Sequence, residues 1–217
     1  MALLLQEGEK NSIPLVSAHL KEKKFKGEYG ELLGSHVLKD GKLHSVLMLG
    51  MGKKEDLNEK KIRCLGGKLV KGLQTLKCQD VQVMVGESLL SHFEAFLEGM
   101  LLGNYDPAKY RSEKKKPSLQ TVFLLNHRWT KFHREALDRA EKVADAVNTI
   151  RDMVNSGPNT MNTRAFVKAT KKVGRKNQYQ IKDLTKPALE KLGMGGLLAV
   201  NRGSVDGAHL LILKHRS

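Results

Sequence analysis

The sequence has 217 residues, 40% of them apolar, with 38 Lys and Arg against 23 Asp and Glu for a formal charge of +15. That apolar share supports one large domain or one domain plus part of a second and excludes a disordered chain. No run of about 18 apolar residues suggests a membrane span, and the opening MALLLQEGEK is too short and too soon acidic for a secretory signal.

In chain order, Val46–Leu49 is a short apolar run that predicts a strand, with Gly50-Met51-Gly52 as its tight exit. Ile62, Leu65, Leu69, Leu73 and Leu76 recur at helical spacing, and Val81–Val85 follows as a strand, which together predict a βαβ unit. Phe93, Phe96, Leu97, Met100 and Leu101 form one helical stripe that Gly103-Asn104 closes. Residues 119–126 predict another buried strand, after a charged, proline-closed loop at 112–118. Strands alternating with helices imply a mainly parallel sheet with helices on its faces.

From Glu135 to about Asn155 a long helix is predicted, with Leu137, Ala140, Ala144, Val147, Ile150 and Val154 at three- and four-residue steps. Its length of about 30 Å suits an element that links two domains. The chain then breaks at Ser156-Gly157-Pro158-Asn159: Pro158 drives Gly157 out of helical dihedrals, and Asn159 and Thr160 bond locally to backbone. Asn162 or Thr163 caps a second helix carrying Ala165, Phe166, Ala169 and Val173. Residues 179–204 read as strand, helix and strand, and His209–His215 as a final apolar strand.

Candidate chemistry is sparse. Cys64 and Cys78, in apolar contexts without CxxC spacing or a partner histidine, argue against a disulfide scaffold or zinc knuckle and fit a reducing compartment, cytoplasm or organelle matrix, rather than secretion. Gly50-x-Gly52-Lys53 lacks both the further glycine of a dinucleotide fingerprint and the hydroxyl residue of a Walker motif, so it reads as a turn pair. The acids of residues 156–217 are Asp183, Glu190 and Asp206, too few and too scattered for a carboxylate cluster. His209 and His215 show no HExxH spacing, and Ser204 follows Gly203 without a nucleophile elbow.

The charge is unevenly spread: residues 156–217 hold twelve Lys and Arg against those three acids. Two readings stand, a solvated lysine-rich surface or a polyanion contact through Lys168, Lys171, Lys172, Arg175 and Lys176. Neither basic-aromatic interleaving nor an RNP-like run accompanies the charge.

The stretch AVNTIRDMVNSGPNTMNTRAFVKAT, followed by LTKPALEKLGMGGLLAVNRGSVDGAHLLILKHR, closely resembles the leucyl (cytosol) aminopeptidase family. Arg151, Asp152, Asn155, Pro158, Asn159, Met194, Gly195, Val200, Gly203 and Ser204 carry that resemblance, and VLMLGMGKKEDL and EGMLLGNYDPAKY agree more loosely. It implies an α/β fold: an amino-terminal αβα domain with a mixed, macro-like sheet over residues 1–130, a linking helix over 131–155, and an incomplete catalytic domain over 156–217. In this frame Arg151, Asp152, Asn155, Pro158 and Asn159 are structural residues of the domain junction.

The family's members are two-metal exopeptidases using zinc, manganese or magnesium, with ligands and catalytic residues in segments downstream of the strand at 209–213. The resemblance therefore assigns no catalytic residue and no metal ligand to this chain, which alone is expected to bind no metal cofactor and to be inactive. It also implies a homo-oligomer or a complementary carboxyl-half chain as partner, to cover the open apolar edge of the last strands. Two other readings stay open: a catalytically dead structural subunit of a larger assembly, and a basic fragment that binds nucleic acid. No membrane partner is expected.

Overall fold

A computed structural model describes residues 1–6, 25–39, 41–84, 87–107, 119–125 and 129–215. It divides into two compact units, Met1–Thr149 and Ile150–Ser217. The boundary falls within the linking helix expected over residues 131–155.

In the first unit β1 (Ala2–Gln6), β2 (Leu32–Lys39), β3 (Lys42–Gly52), β4 (Asp80–Met84) and β5 (Thr121–Leu125) form one mixed sheet in the order β2-β3-β1-β4-β5. β2 and β3 pair antiparallel and every other pairing is parallel. The predicted strands before and after the first helix are thus not neighbours. β1 lies between them, with Leu4 opposite Leu49 in register, and this central strand comes from the opening segment that carried no strand expectation.

Side-chain alternation along β3 sorts the two faces. Leu47, Leu49 and Met51 join Ala2, Leu4, Val81 and Val83 in the main core, while Val46 and Met48 pack with Met1, Phe25, Leu33 and Met84 on the other side. The main core is covered by α1 (Glu59–Thr75), whose Ile62, Leu65, Leu69, Val70 and Leu73 are buried. Asn58 starts it by accepting the Lys61 amide at 3.0 Å.

The second apolar stripe lies whole within α3 (Phe93–Gly103), which ends on Asn104 as its composition predicts; a separate single turn, α2 (Glu87–Leu90), precedes it. α1 and α3 approach so closely that no side chain fits between them. A Cβ on Gly99 would strike the Arg63 carbonyl, and one on Gly66 the Phe96 carbonyl. Arg63 Nε also donates to Glu98 Oε2 across this crossing at 2.6 Å.

β5 differs from the buried strand expected of its composition, because it is the sheet edge and Phe123 is 53% exposed. Asn126 and the loop at 112–118 lie outside the described residues, as does Val85.

α4 (Lys131–Asn155) begins four residues ahead of the start read from apolar spacing, Glu135, and spans the 131–155 range that the resemblance implies. There the Thr130 hydroxyl meets His133 Nδ1 at 2.7 Å, and the buried His133 ring stands edge-on to Phe93 with centroids 5.2 Å apart. Ala136 and Ala140 bury against Phe93 and Leu97 of α3. Farther along the same stripe Ile150 and Val154 are 57% and 77% exposed.

The second unit continues with α5 (Thr163–Lys176), β6 (Gln180–Thr185), α6 (Lys186–Lys191), α7 (Gly195–Asn201) and β7 (His209–Lys214). β6 and β7 pair antiparallel, Thr185 opposite His209. The second strand expected within residues 179–204 is absent among the described residues, and α7 stands in its place. Gly193 takes φ 65°, closing α6 in the left-handed region, and the chain restarts as α7 with the Leu198 amide on the Met194 carbonyl. A short apolar run fixes burial better than it fixes period.

Candidate functional site

The junction after α4 is held by local hydrogen bonds. Ser156 Oγ donates to the Asp152 carbonyl at 2.8 Å, taking up one of the carbonyls that a helix end leaves unmatched. The amides of Thr160 and Met161 both donate to the Gly157 carbonyl at 2.9 Å, and the Asn162 side chain accepts the Ala165 amide at 2.9 Å to start α5. Arg151, Asp152 and Asn155 occupy the last turns of α4, while Pro158 and Asn159 occupy the turn itself.

α5 carries the charge. Arg164, Lys168, Lys171, Lys172 and Arg175 recur at steps of three and four, so they share one face. With Val167, Asp183 of β6 and His209 of β7, they line an open groove of about 660 Å³. Of the cations singled out from sequence, Lys176 alone is not part of that lining. The sequence reading missed Arg164, although it stands one turn before Lys168. It also gave no role to Asp183 and His209, which meet only through the β6–β7 pairing, two residues apart diagonally.

Asp183 is the electrostatic centre of this wall. It accepts Lys171 Nζ at 2.7 Å and pairs with His209 Nδ1 at 2.8 Å. The Lys171 hydrogen bond, and after it the His209 one, holds its carboxyl below the usual carboxylate range. Beside it, Arg164 directs Nη2 and Nε to one Asp206 oxygen at 2.7 and 2.8 Å. Asn201 Nδ2 donates to the Asp206 carbonyl at 3.0 Å, and the Asp206 amide donates to Ser204 Oγ at 3.2 Å. Ser204 thus shapes a turn. The His215 and Tyr179 rings are tilted at 58° to each other with centroids 5.1 Å apart.

This donor set does not fit a pair of divalent ions. A two-metal centre needs carboxylates clustered tightly enough to bridge two hard cations. Here each acid of residues 156–217 is held by a cation of the chain itself: Asp183 by Lys171, Asp206 by Arg164, and the exposed Glu190 by Lys186 at 4.0 Å. Among the described residues no group of three or more His, Cys, Asp or Glu could hold a metal.

Nor does the glycine pair of β3 cradle phosphate. The Gly50 amide donates to the Glu31 carbonyl and the Gly52 amide to the Gly27 carbonyl, at 2.8 and 2.9 Å, so both donors are spent on the neighbouring loop. Both cysteines are free; Cys64 is exposed on α1, against the apolar context expected of it, and Cys78 is partly buried against the main core. Among the described residues no helix is long and apolar enough to cross a membrane.

Comparison with known proteins gives these features a frame. Residues 5–114 match the model of the cytosol aminopeptidase family N-terminal domain, and residues 148–217 match that of the catalytic domain. The chain is 28% identical over 203 residues to a probable cytosol aminopeptidase of Clostridium perfringens, covering 90% of this chain and 41% of that protein. A Mycobacterium relative of the same description is 32% identical over 176 residues, covering 79% of this chain and 33% of its own. Among solved structures, a tomato leucine aminopeptidase variant superposes with a TM-score of 0.84 at 19% identity over 97% of this chain and 46% of its own. The bottromycin maturation enzyme BotP, in complex with Mn, gives 0.80 at 22% identity over 99% of this chain and 44% of its own. The chain spans less than half the length of these relatives. Matched at both domains, and with a mixed α/β fold shared by its structural neighbours, the chain belongs to the cytosol aminopeptidase family.

Proposed function

We propose that this chain is the amino-terminal portion of a leucyl-aminopeptidase-like two-metal exopeptidase that releases amino-terminal residues from peptides, and that the 217-residue polypeptide alone is inactive. The observation that carries this reading is a contrast within residues 148–217: they match the catalytic-domain model, yet each acid of 156–217 is paired with a cation of its own chain. A pair of zinc, manganese or magnesium ions belongs on this reading to the complete enzyme, with ligands supplied outside these residues. The manganese in BotP supports a divalent ion there.

The apolar surface of the second unit supports a covering partner. Val200 and Val205 are almost wholly exposed, Leu192 is 58% exposed, and Ile212 and Leu213 lie open on a sheet that has two strands among the described residues. Exposed apolar side chains in such number mark an interaction surface. Its occupant on this reading is the remainder of the catalytic domain, as a complementary carboxyl-half chain or within a homo-oligomer. The relatives' description as cytosol aminopeptidases supports a cytoplasmic location.

The test is a leucyl chromogenic amide assayed with the purified chain and manganese. The expected result is no turnover above buffer, and recovery of turnover when a family carboxyl-half polypeptide co-purifies or is added. Turnover by this chain by itself overturns the reading.

A further inference from the structure

The α5 groove has a chemistry that the peptidase reading does not use. From Thr163 to Lys176 the helix holds no acid. Arg164 and Lys171 are engaged by Asp206 and Asp183, but Lys168, Lys172 and Arg175 are exposed and carry no ion pair among the described residues. At 1.5 Å per residue, Arg164 to Arg175 covers about 16 Å, so the five cations stand roughly one per 4 Å. Cations this close repel one another unless an anion neutralises them.

The rest of the lining restricts what that anion is. Val167 is its single aliphatic residue, no Phe, Tyr or Trp lines it, and the one ring present, the His209 imidazole, is held by Asp183 at 2.8 Å. Bases therefore have only the Asp183-bound imidazole of His209 to stack on, and apart from Val167 the apolar surface consists of the stems of cationic side chains. What fits is a slender chain with dense negative charge and no apolar or aromatic substituents.

We propose that the α5 groove binds inorganic polyphosphate, through Lys168, Lys172 and Arg175, with Arg164 and Lys171 as secondary contacts that Asp183 and Asp206 hold in place. The site is independent of metal and of peptidase activity.

The experiment is a binding titration of the purified chain with inorganic polyphosphate, repeated with single-stranded DNA and with poly-glutamate of equal charge. For about four neutralised phosphates, affinity falls roughly 50-fold between about 50 and about 200 mM salt. The exposed pair Lys168→Glu and Lys172→Glu, combined, leaves the thermal midpoint unchanged and weakens polyphosphate binding by roughly tenfold or more. Asp183→Asn removes the groove's negative charge and frees Lys171, so it tightens binding severalfold.

No binding at low salt, binding indifferent to the double charge reversal, or an unchanged affinity in a folded Asp183→Asn variant overturns the assignment. So does DNA or poly-glutamate binding as tightly, charge for charge, which would transfer the groove to a different partner. Because Lys168 and Lys172 lie on the surface, the charge-reversal arm does not depend on how Asp183→Asn folds.

Discussion

The two units use the same kinds of elements but differ in what their apolar side chains touch. In the first, a five-stranded sheet and the α1–α3 pair enclose Phe96, Leu65, Leu69 and Leu49 with essentially no solvent exposure. In the second, the buried apolar residues are Val167, Leu189 and Ala208, while Phe166, Val200 and Leu213 face outward and ion pairs tie α5 to β6 and to Asp206. One unit closes on hydrophobic contact; the other is fastened by charge at its groove and leaves apolar surface open.

That contrast sets the scale of substitution effects. Phe96→Ala in the first unit costs about 3–5 kcal/mol, read as the shift in urea unfolding of the whole chain, because the fully buried ring leaves a cavity. A loss under about 1 kcal/mol would show this core to be looser than its packing indicates.

Asp183→Asn comes next, at about 1.5–3 kcal/mol of local stability, since it removes charged hydrogen bonds to Lys171 and His209. The folded-state carboxyl sits below its ordinary range, so the unfolded chain binds more protons at low pH. The contribution is intact above about pH 4 and is lost as pH falls below it. Amide exchange in β6 and β7 then differs between wild type and variant at about pH 6, and the difference closes as pH falls through the lowered titration range of Asp183.

Asn162→Ala removes the cap of α5 and costs about 1 kcal/mol, measured by exchange of the first-turn amides. Val200→Ser, at an 88% exposed position, stays within about 0.5 kcal/mol in the isolated chain. Its effect appears only when a partner covers α7, as weaker association.

The features legible in the sequence were the periodic ones. Ile62, Leu65, Leu69 and Leu73 announce α1, and Asn162 announces the start of α5, because both signals are local. β1 was missed because MALLL carries no alternation, being the central strand of the sheet and paired in parallel on both sides. α7 was read as a strand because Leu197, Leu198 and Val200 form a run too short to reveal its period. At the groove, the lysines were visible from helical spacing. Their counter-charge was not, since Asp183 and His209 are 26 residues apart and are joined only by strand register.

The central claim is that this stretch of the family fold lacks the donors for a bimetal centre, its acids being committed to its own cations. Equilibrium dialysis of the purified chain against manganese tests it most directly. The account expects no tightly held manganese; two ions bound per chain through its own side chains would contradict it.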